Sequence, residues 1–322
     1  MSDAVYLHAQ QSMARGSKSF DLASRLFPPD VRRSALMLYA WCRHCDDVID
    51  GQISGFRSPT PASDSARSRL QRLKEDTRRA FNGESMSTPA FAALQTVVVR
   101  HSIPMSLALD HLAGYEMDVV GYRYVTFEDT LLYCYRVAGV VGLMMASILD
   151  VHAPSDLDRA CDLGLAFQIT NIARDIVEDA AIGRCYIPQE WMLAEGLTLE
   201  DIRRGEGREK LARLAMRLVA SAEPYYDSAL AGLSAMPVRS AWAVGTAHGV
   251  YRAIGRKVQG QGAKAWEGRV STSKAEKMSQ LVGGAHKAAR SRVAPVHQRP
   301  ATLWTRPGGD GSERISAGQA AS

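Results

Sequence analysis

The chain has 322 residues with 46% hydrophobic and 23% charged side chains and a net charge of +5. It is therefore too long for a small disulfide scaffold, ordinary in composition for a globular protein, and able to bury one sizeable core. A nucleic-acid binder would carry its basic excess on one element, so the placement of this modest charge matters more than its size.

The longest uncharged stretch, Val137 to Leu149, has thirteen residues, short of a bilayer crossing. Met1-Ser2-Asp3-Ala4 lacks the basic start and apolar run of a signal peptide. The five cysteines, Cys42, Cys45, Cys134, Cys161 and Cys185, are odd in number and scattered. They suit a reducing compartment, and the single Cys42/Cys45 pair lacks the further ligands of a zinc site. The expected setting is cytoplasmic.

Apolar residues recur at three- and four-residue spacing, which predicts helices almost throughout. Pro28-Pro29-Asp30 starts the first, over about 30–50, with Asp30 as N-cap. Residues 51–63 are rich in Gly, Ser and Pro and read as a loop, either a plain connector or a flap over the acidic cluster before it. Helices follow near 64–82, 89–101 and 105–120, then at 127–150 after a Thr126-Phe127-Glu128-Asp129 cap. Four more lie near 155–181, 208–233, 238–260 and 272–290. No linker divides them. Residues 291–322 lose periodicity and are expected to form a disordered basic tail.

Two acidic clusters carry the chemistry. In Arg43-His44-Cys45-Asp46-Asp47-Val48-Ile49-Asp50, Asp46 and Asp50 share a helix face about 6 Å apart along the axis, with Arg43 on the same side. Like charges at that spacing weaken a helix, and a divalent cation would compensate them. In the second cluster, Gln168, Asn171, Asp175 and Asp179 form one polar stripe on a helix packed by Phe167, Ile169, Ile172, Ala173, Ile176 and Val177. An oxygen-only ligand set selects Mg²⁺ or Mn²⁺ over zinc. One DDxxD reads equally well as a solvated acidic face, but two clusters on apolar helices favour a site. Metal ions between facing carboxylates would attract a diphosphate and ease its departure, which points to metal-assisted ionisation of a diphosphate ester. Taken alone, Ser17 and Ser19 read as helix caps, Tyr133 and Tyr251 as core aromatics, and His44 and His111 are given no catalytic role. The run Leu143, Met144, Met145, Ile148 suits either plain core or the wall of a hydrocarbon tunnel.

The pair Asp46-xxx-Asp50 and Asp175-xx-Glu178-Asp179 resembles the squalene/phytoene synthase family. So do Gly16-Ser17-Lys18-Ser19-Phe20, Leu38-Tyr39-Ala40-Trp41-Cys42-Arg43, the Tyr133 to Gly142 segment as YxxxVAGxVG, and Gly183-Arg184-Cys185-Tyr186-Ile187-Pro188. The likeness covers about residues 10–290 and is nearest to the bacterial phytoene synthases of carotenoid pathways. It implies an all-α, single-domain isoprenoid-synthase bundle (1–290) around an apolar cavity. It also implies Mg²⁺-dependent head-to-head condensation of two geranylgeranyl diphosphates to phytoene, without a nicotinamide cofactor.

By the same resemblance, Asp46, Asp50, Asn171, Asp175 and Asp179 hold two or three Mg²⁺ ions. Ser17, Ser19, Arg43, Gln168, Arg174, Tyr251 and Arg269 contact substrate diphosphate, the last two from late helices, and Tyr133 sits by the reacting carbons. The rivals are a C30 squalene or dehydrosqualene synthase acting on farnesyl diphosphate, a chain-elongating prenyltransferase or terpene cyclase, and a non-catalytic scaffold. An elongating enzyme would repeat DDxxD in the second cluster, and a scaffold would be expected to have lost ligands.

The charge can now be located. From His286 onward there are six basic and two acidic residues, so this segment carries +4 of the +5. The balance is a property of the tail rather than a nucleic-acid footprint, and it suits transient contact with an anionic membrane.

Overall fold

The computed structural model describes residues 3–53, 56–57, 65–295 and 297–308. It is built almost wholly of helices: α1 (Asp3–Gly16), α2 (Lys18–Ser24), α3 (Pro29–Ile49), α4 (Ala66–Phe81), α5 (Pro89–His101) and α6 (Met105–Val120). After these come α7 (Phe127–Cys134), α8 (Val140–Ile148), α9 (Pro154–Ala181), α10 (Gln189–Glu195) and α11 (Leu199–Arg204). The last three are α12 (Arg208–Ala231), α13 (Val238–Gln261) and α14 (Lys274–Arg290).

The long helices fall where apolar periodicity predicts them. The helices α1, α2, α10 and α11 lie outside the expected set; the last three have seven residues or fewer and barely establish a period. Asp30 is not the N-cap of α3: that place is Pro28, and Pro29 occupies the first turn, where its missing N–H leaves nothing unsatisfied. Thr126 and Asp129 do form a reciprocal capping box on α7. The predicted loop after α3 contains a minimal antiparallel ladder, β1 (Gln52–Ile53) with β2 (Phe56–Arg57). Residues 54–55 and 58–64, where a flap was considered, lie outside the described residues.

Among the described residues, the two larger of four apolar clusters hold most of the bundle. One joins α9, α12 and α13 through Leu165, Ile169, Leu218, Tyr226 and Val250. The other joins α3, α5 and α6 through Leu36, Trp41, Phe91, Leu94 and Leu112. The segment between α7 and α8 runs between them. The helix widens to a π-turn at Tyr135–Gly139, so that Phe127–Ile148 is one continuous helical run. Its most apolar 18-residue stretch has a mean hydropathy of 1.6, and the run is long and apolar enough to span a bilayer, longer than the thirteen uncharged residues suggest. Just over half of it is buried inside the bundle.

Close approach to α9 explains the glycines of this segment. A Cβ on Gly142 would lie 2.3 Å from the Ala160 carbonyl oxygen, and one on Gly164 would lie 2.4 Å from that of Ala138. Both neighbours are backbone and cannot rotate away. Gly164→Ala is therefore expected to cost about 1–3 kcal/mol, perturbing the π-turn beside the cavity. A urea titration checks this, and an unchanged midpoint would show that the α8–α9 seam can give.

The C-terminal segment departs most from expectation. Residues 297–308 are docked, not a free tail. The Arg299 guanidinium donates two hydrogen bonds, each 2.8 Å, to Asp162, and Arg306 donates to Asp158 at 2.7 Å. Arg159 donates to the His297 carbonyl at 2.7 Å, Leu303 is buried, and the Trp304 ring lies 5.5 Å from that of Tyr135. Arginines counted as tail charge are thus partners of acids on α9. Residues 309–322 lie outside the described residues.

Candidate active site

The α3 cluster is built from one helix face. Leu38, Trp41, Cys45 and Ile49 turn into protein, which leaves Arg43, Asp46 and Asp50 on the opposite side. Arg43 reaches Asp47 at 2.6 Å and Asp46 at 3.2 Å. Asp46 exposes 42% of its side chain, yet burial and the adjacent Asp50 charge push its carboxyl up to about 6. Asp50, at the end of the helix, pairs with Arg184 at 2.6 Å.

The α9 cluster follows the same logic. Ile169, Ile172, Ala173, Ile176 and Ala180 are buried on one face, and the predicted stripe runs along the other. The Asn171 amide donates to Gln168 at 3.3 Å, while Asn171 Oδ1 is buried without a partner. Arg174 grips its neighbour Asp175 at 2.7 Å. Arg269 reaches Asp175 at 3.5 Å and Glu178 at 3.9 Å, from the loop before α14 rather than from a helix. Burial and the Asp175 charge push Asp179 up to about 7.

Helices α3 and α9 share no packing seam. Residues that the sequence reading did not assign connect them instead. Asp118, near the end of α6, is 7% exposed at its side chain and lies 3.9 Å from Arg184, which also holds Asp50. Tyr186 donates to Asp118 at 3.1 Å. Burial raises Asp118 to about 6, with Asp50 adding to the rise, and Asp118 in turn raises Asp179. It is thus a fifth carboxylate in the field of both clusters. Tyr133 stacks on Tyr186 at 4.3 Å and hydrogen-bonds it, and burial holds its hydroxyl neutral. Arg184 and Tyr186 stood in a quoted motif and could have been found there, whereas a lone Asp118 gave no signal.

Ser17 caps α2, accepting the Phe20 N–H at 3.3 Å, and also hydrogen-bonds the Tyr251 hydroxyl. Tyr251 stacks on Phe167 at 4.3 Å and lies 5.2 Å from Phe20. Ser19 is half-buried on α2 and, among the described residues, has no hydrogen bond to the acidic clusters.

Between the two halves lies a cavity of about 420 Å³. Arg43, Asp46, Gln168, Asn171 and Tyr251 form its polar end. Phe27, Leu149, Val151, Met236 and Ala243 belong to its apolar lining. Of the run considered as a tunnel wall, only Met145 lines it, and Leu143, Met144 and Ile148 are core. His111 also lines it, its ring Nδ1 3.3 Å from the Arg136 carbonyl, and burial holds it neutral by pushing it down to about 4.

Residues 13–276 match the family profile for squalene/phytoene synthase. The chain belongs to the squalene/phytoene synthase family. It is 57% identical over 300 residues to a phytoene synthase of Pseudescherichia vulneris, covering 93% of this chain and 97% of the relative. It is 57% identical over 295 residues to a 15-cis-phytoene synthase of Enterobacter agglomerans, covering 92% and 100%. A dehydrosqualene synthase solved with a ligand superposes with a TM-score of 0.78 at 26% identity, covering 88% of this chain and 96% of that one. The all-α fold of squalene/phytoene synthases is therefore the fold seen here.

The residues present fit a hard divalent cation. Their donors are oxygens only, Asn171 Oδ1 is orphaned, and burial, with Asp50 beside Asp46 and Asp175 beside Asp179, holds Asp46 and Asp179 above the usual carboxylate range despite nearby arginines. Among the described residues no three acidic, His or Cys side chains yet converge on one point. Arginines stand against the carboxylates instead, Arg43 at Asp46, Arg184 at Asp50, Arg174 and Arg269 at Asp175.

A pH dependence follows. Asp46, Asp118 and Asp179 have folded-state values above the ordinary carboxylate range. At these three carboxylates the folded chain binds more protons than the unfolded one from about pH 4 to 7, so their contribution to metal-free stability falls as pH rises through that window, while the buried His111 and His248, pushed down to about 4 and about 3, contribute with the opposite sign. Saturating Mg²⁺ should raise Tm by a few °C, more at pH 7.5 than at pH 5. Thermal melts with Mg²⁺ and with EDTA check this, and an equal rise at both pH values would count against these carboxylates as ligands.

Proposed function

We propose that this chain is a phytoene synthase, with residues 1–290 as one catalytic domain. It condenses two geranylgeranyl diphosphates head to head through a cyclopropylcarbinyl diphosphate. The observation that carries the reading is an apolar cavity whose polar end is formed by Asp46 of the first acidic cluster and by Gln168 and the orphaned Asn171 oxygen of the second stripe. The names of relatives 57% identical over almost the whole chain support it.

In this reading Asp46, Asp50, Asn171, Asp175 and Asp179 hold Mg²⁺. Bound there, the metal supplies Lewis-acid charge toward the departing diphosphate. Arg43, Arg174 and Arg269 turn from their carboxylates to phosphate oxygens, a charge-assisted exchange that guanidinium geometry favours. Ser17, Ser19, Gln168 and Tyr251 complete the polar wall. Tyr133, neutral and fixed by its stack on Tyr186, guides the rearranging carbons. The apolar wall keeps water from the allylic cation, which would otherwise be captured as an alcohol. The enzyme works in the cytoplasm with peripheral contact to membrane.

Purified protein given geranylgeranyl diphosphate and Mg²⁺, with no reductant, should yield a C40 hydrocarbon by mass spectrometry. A C30 product from farnesyl diphosphate, and nothing from the longer substrate, would overturn the reading.

A further inference from the structure

The apolar end of the cavity backs onto a distinctive surface. Met236 lines the cavity, and the turn carrying it is tied down from outside by Arg292, which donates to the Ser234 carbonyl at 2.9 Å and to those of Leu233 and Met236. Arg292 follows α14, and Val238 opens α13 beside the same turn.

The outer face of α14 is apolar. Met278 and Val282, one turn apart, are 62% and 69% exposed, and Val293, just past the helix, and Val238, at the start of α13, are 85% and 58% exposed. Ala275 and Ala289 fall on the same stripe, broken by Ser279 and His286. Lys274 and Arg290 flank it, with Arg239 exposed next to Val238. None of these three basic residues has an ion pair among the described residues, whereas the one acid of α14, Glu276, is held by Lys257 at 2.7 Å. A face with apolar centre, cationic flanks and no free acid is complementary to an anionic lipid surface. We propose that this face, α14 with Val238 and Val293, docks on an anionic bilayer and turns the apolar end of the cavity toward lipid. The inference rests on the proposed function in one respect: a hydrocarbon product has no polar group and must pass to lipid rather than water.

The test uses the full chain and vesicles of phosphatidylcholine, alone or mixed with phosphatidylglycerol, in co-sedimentation at low and high salt. The wild type should bind the anionic vesicles and be weakened by salt. Met278→Asp with Val282→Asp should lose at least about tenfold in binding, and Lys274→Glu with Arg290→Glu should lose the preference for phosphatidylglycerol, at roughly fivefold per basic residue. Val99→Asp, a 71% exposed site on α5, should bind as wild type. Turnover of all three in detergent micelles should stay within about twofold of wild type, because none touches the cavity. No binding by the wild type, wild-type binding by the double aspartate variant, or equal loss in Val99→Asp would each overturn the proposal. Absence of a C40 product in micelles would sink the functional reading while leaving the vesicle result to stand by itself.

Discussion

Asp175→Ala should lower turnover by at least about a thousandfold while leaving helical content intact, the scale expected when a principal charge-stabilising group is removed. The reason is specific to this position. Asp175 sits between Arg174 at 2.7 Å and Arg269 at 3.5 Å and raises the proton affinity of Asp179 one turn on. Its removal takes away a cation ligand and strands two guanidinium groups that must later turn to diphosphate. It relieves the repulsion on Asp179 but leaves the largely buried Arg174 without its partner, so the metal-free variant should stay folded and melt a few °C below the wild type at most. Loss of activity with retained stability separates a ligand from a structural residue. Steady-state turnover, circular dichroism and melting together measure this, and substantial retained turnover would remove Asp175 from the metal site.

The second large effect concerns stability. Arg299→Ala should destabilise the fold by about 3–5 kcal/mol, because it leaves a buried carboxylate without its counter-ion. Asp162 is 1% exposed at its side chain, accepts both Arg299 bonds at 2.8 Å and a third from Ser228 at 2.6 Å, and burial raises its proton affinity despite them. Asp162→Asn with Arg299→Ala should recover part of the loss, since a neutral amide costs less to bury than an unpaired charge. Chemical denaturation of the two variants checks both statements. A midpoint for Arg299→Ala equal to that of the wild type would mean that the docked segment contributes nothing to the fold. The same strap braces α9 from behind, and the opposite face of α9 carries Gln168 and Asn171. A weakened strap should therefore also loosen the site.

Much of the site was legible because its chemistry is written at helical spacing. Asp46 with Asp50, and Gln168, Asn171, Asp175 and Asp179, lie three or four residues apart, so one helix carries each set whatever surrounds it. The capping box at Thr126 and the long helices from α3 to α14 are local in the same sense. Asp118 was invisible because nothing near it in sequence explains a buried acid. Its meaning comes from Arg184 and Tyr186, more than sixty residues later. The docked segment was misread for a similar reason. Ser, Ala, Gly, Pro and Arg without periodicity read as disorder, while the partners of Arg299 and Arg306 lie well over a hundred residues earlier.

The helical class, the two oxygen-ligand stripes and the kind of cation and leaving group they suit follow from residue type and a period of 3.6 alone. The folded bundle set how the stripes are joined, through Arg184 and Asp118 rather than by direct helix packing. It also decided which apolar residues face a cavity and which are core, and that residues 297–308 brace α9. Those outcomes depend on contacts between distant segments. Such pairing is set by the shape and packing of the whole bundle and leaves no periodic mark on either partner.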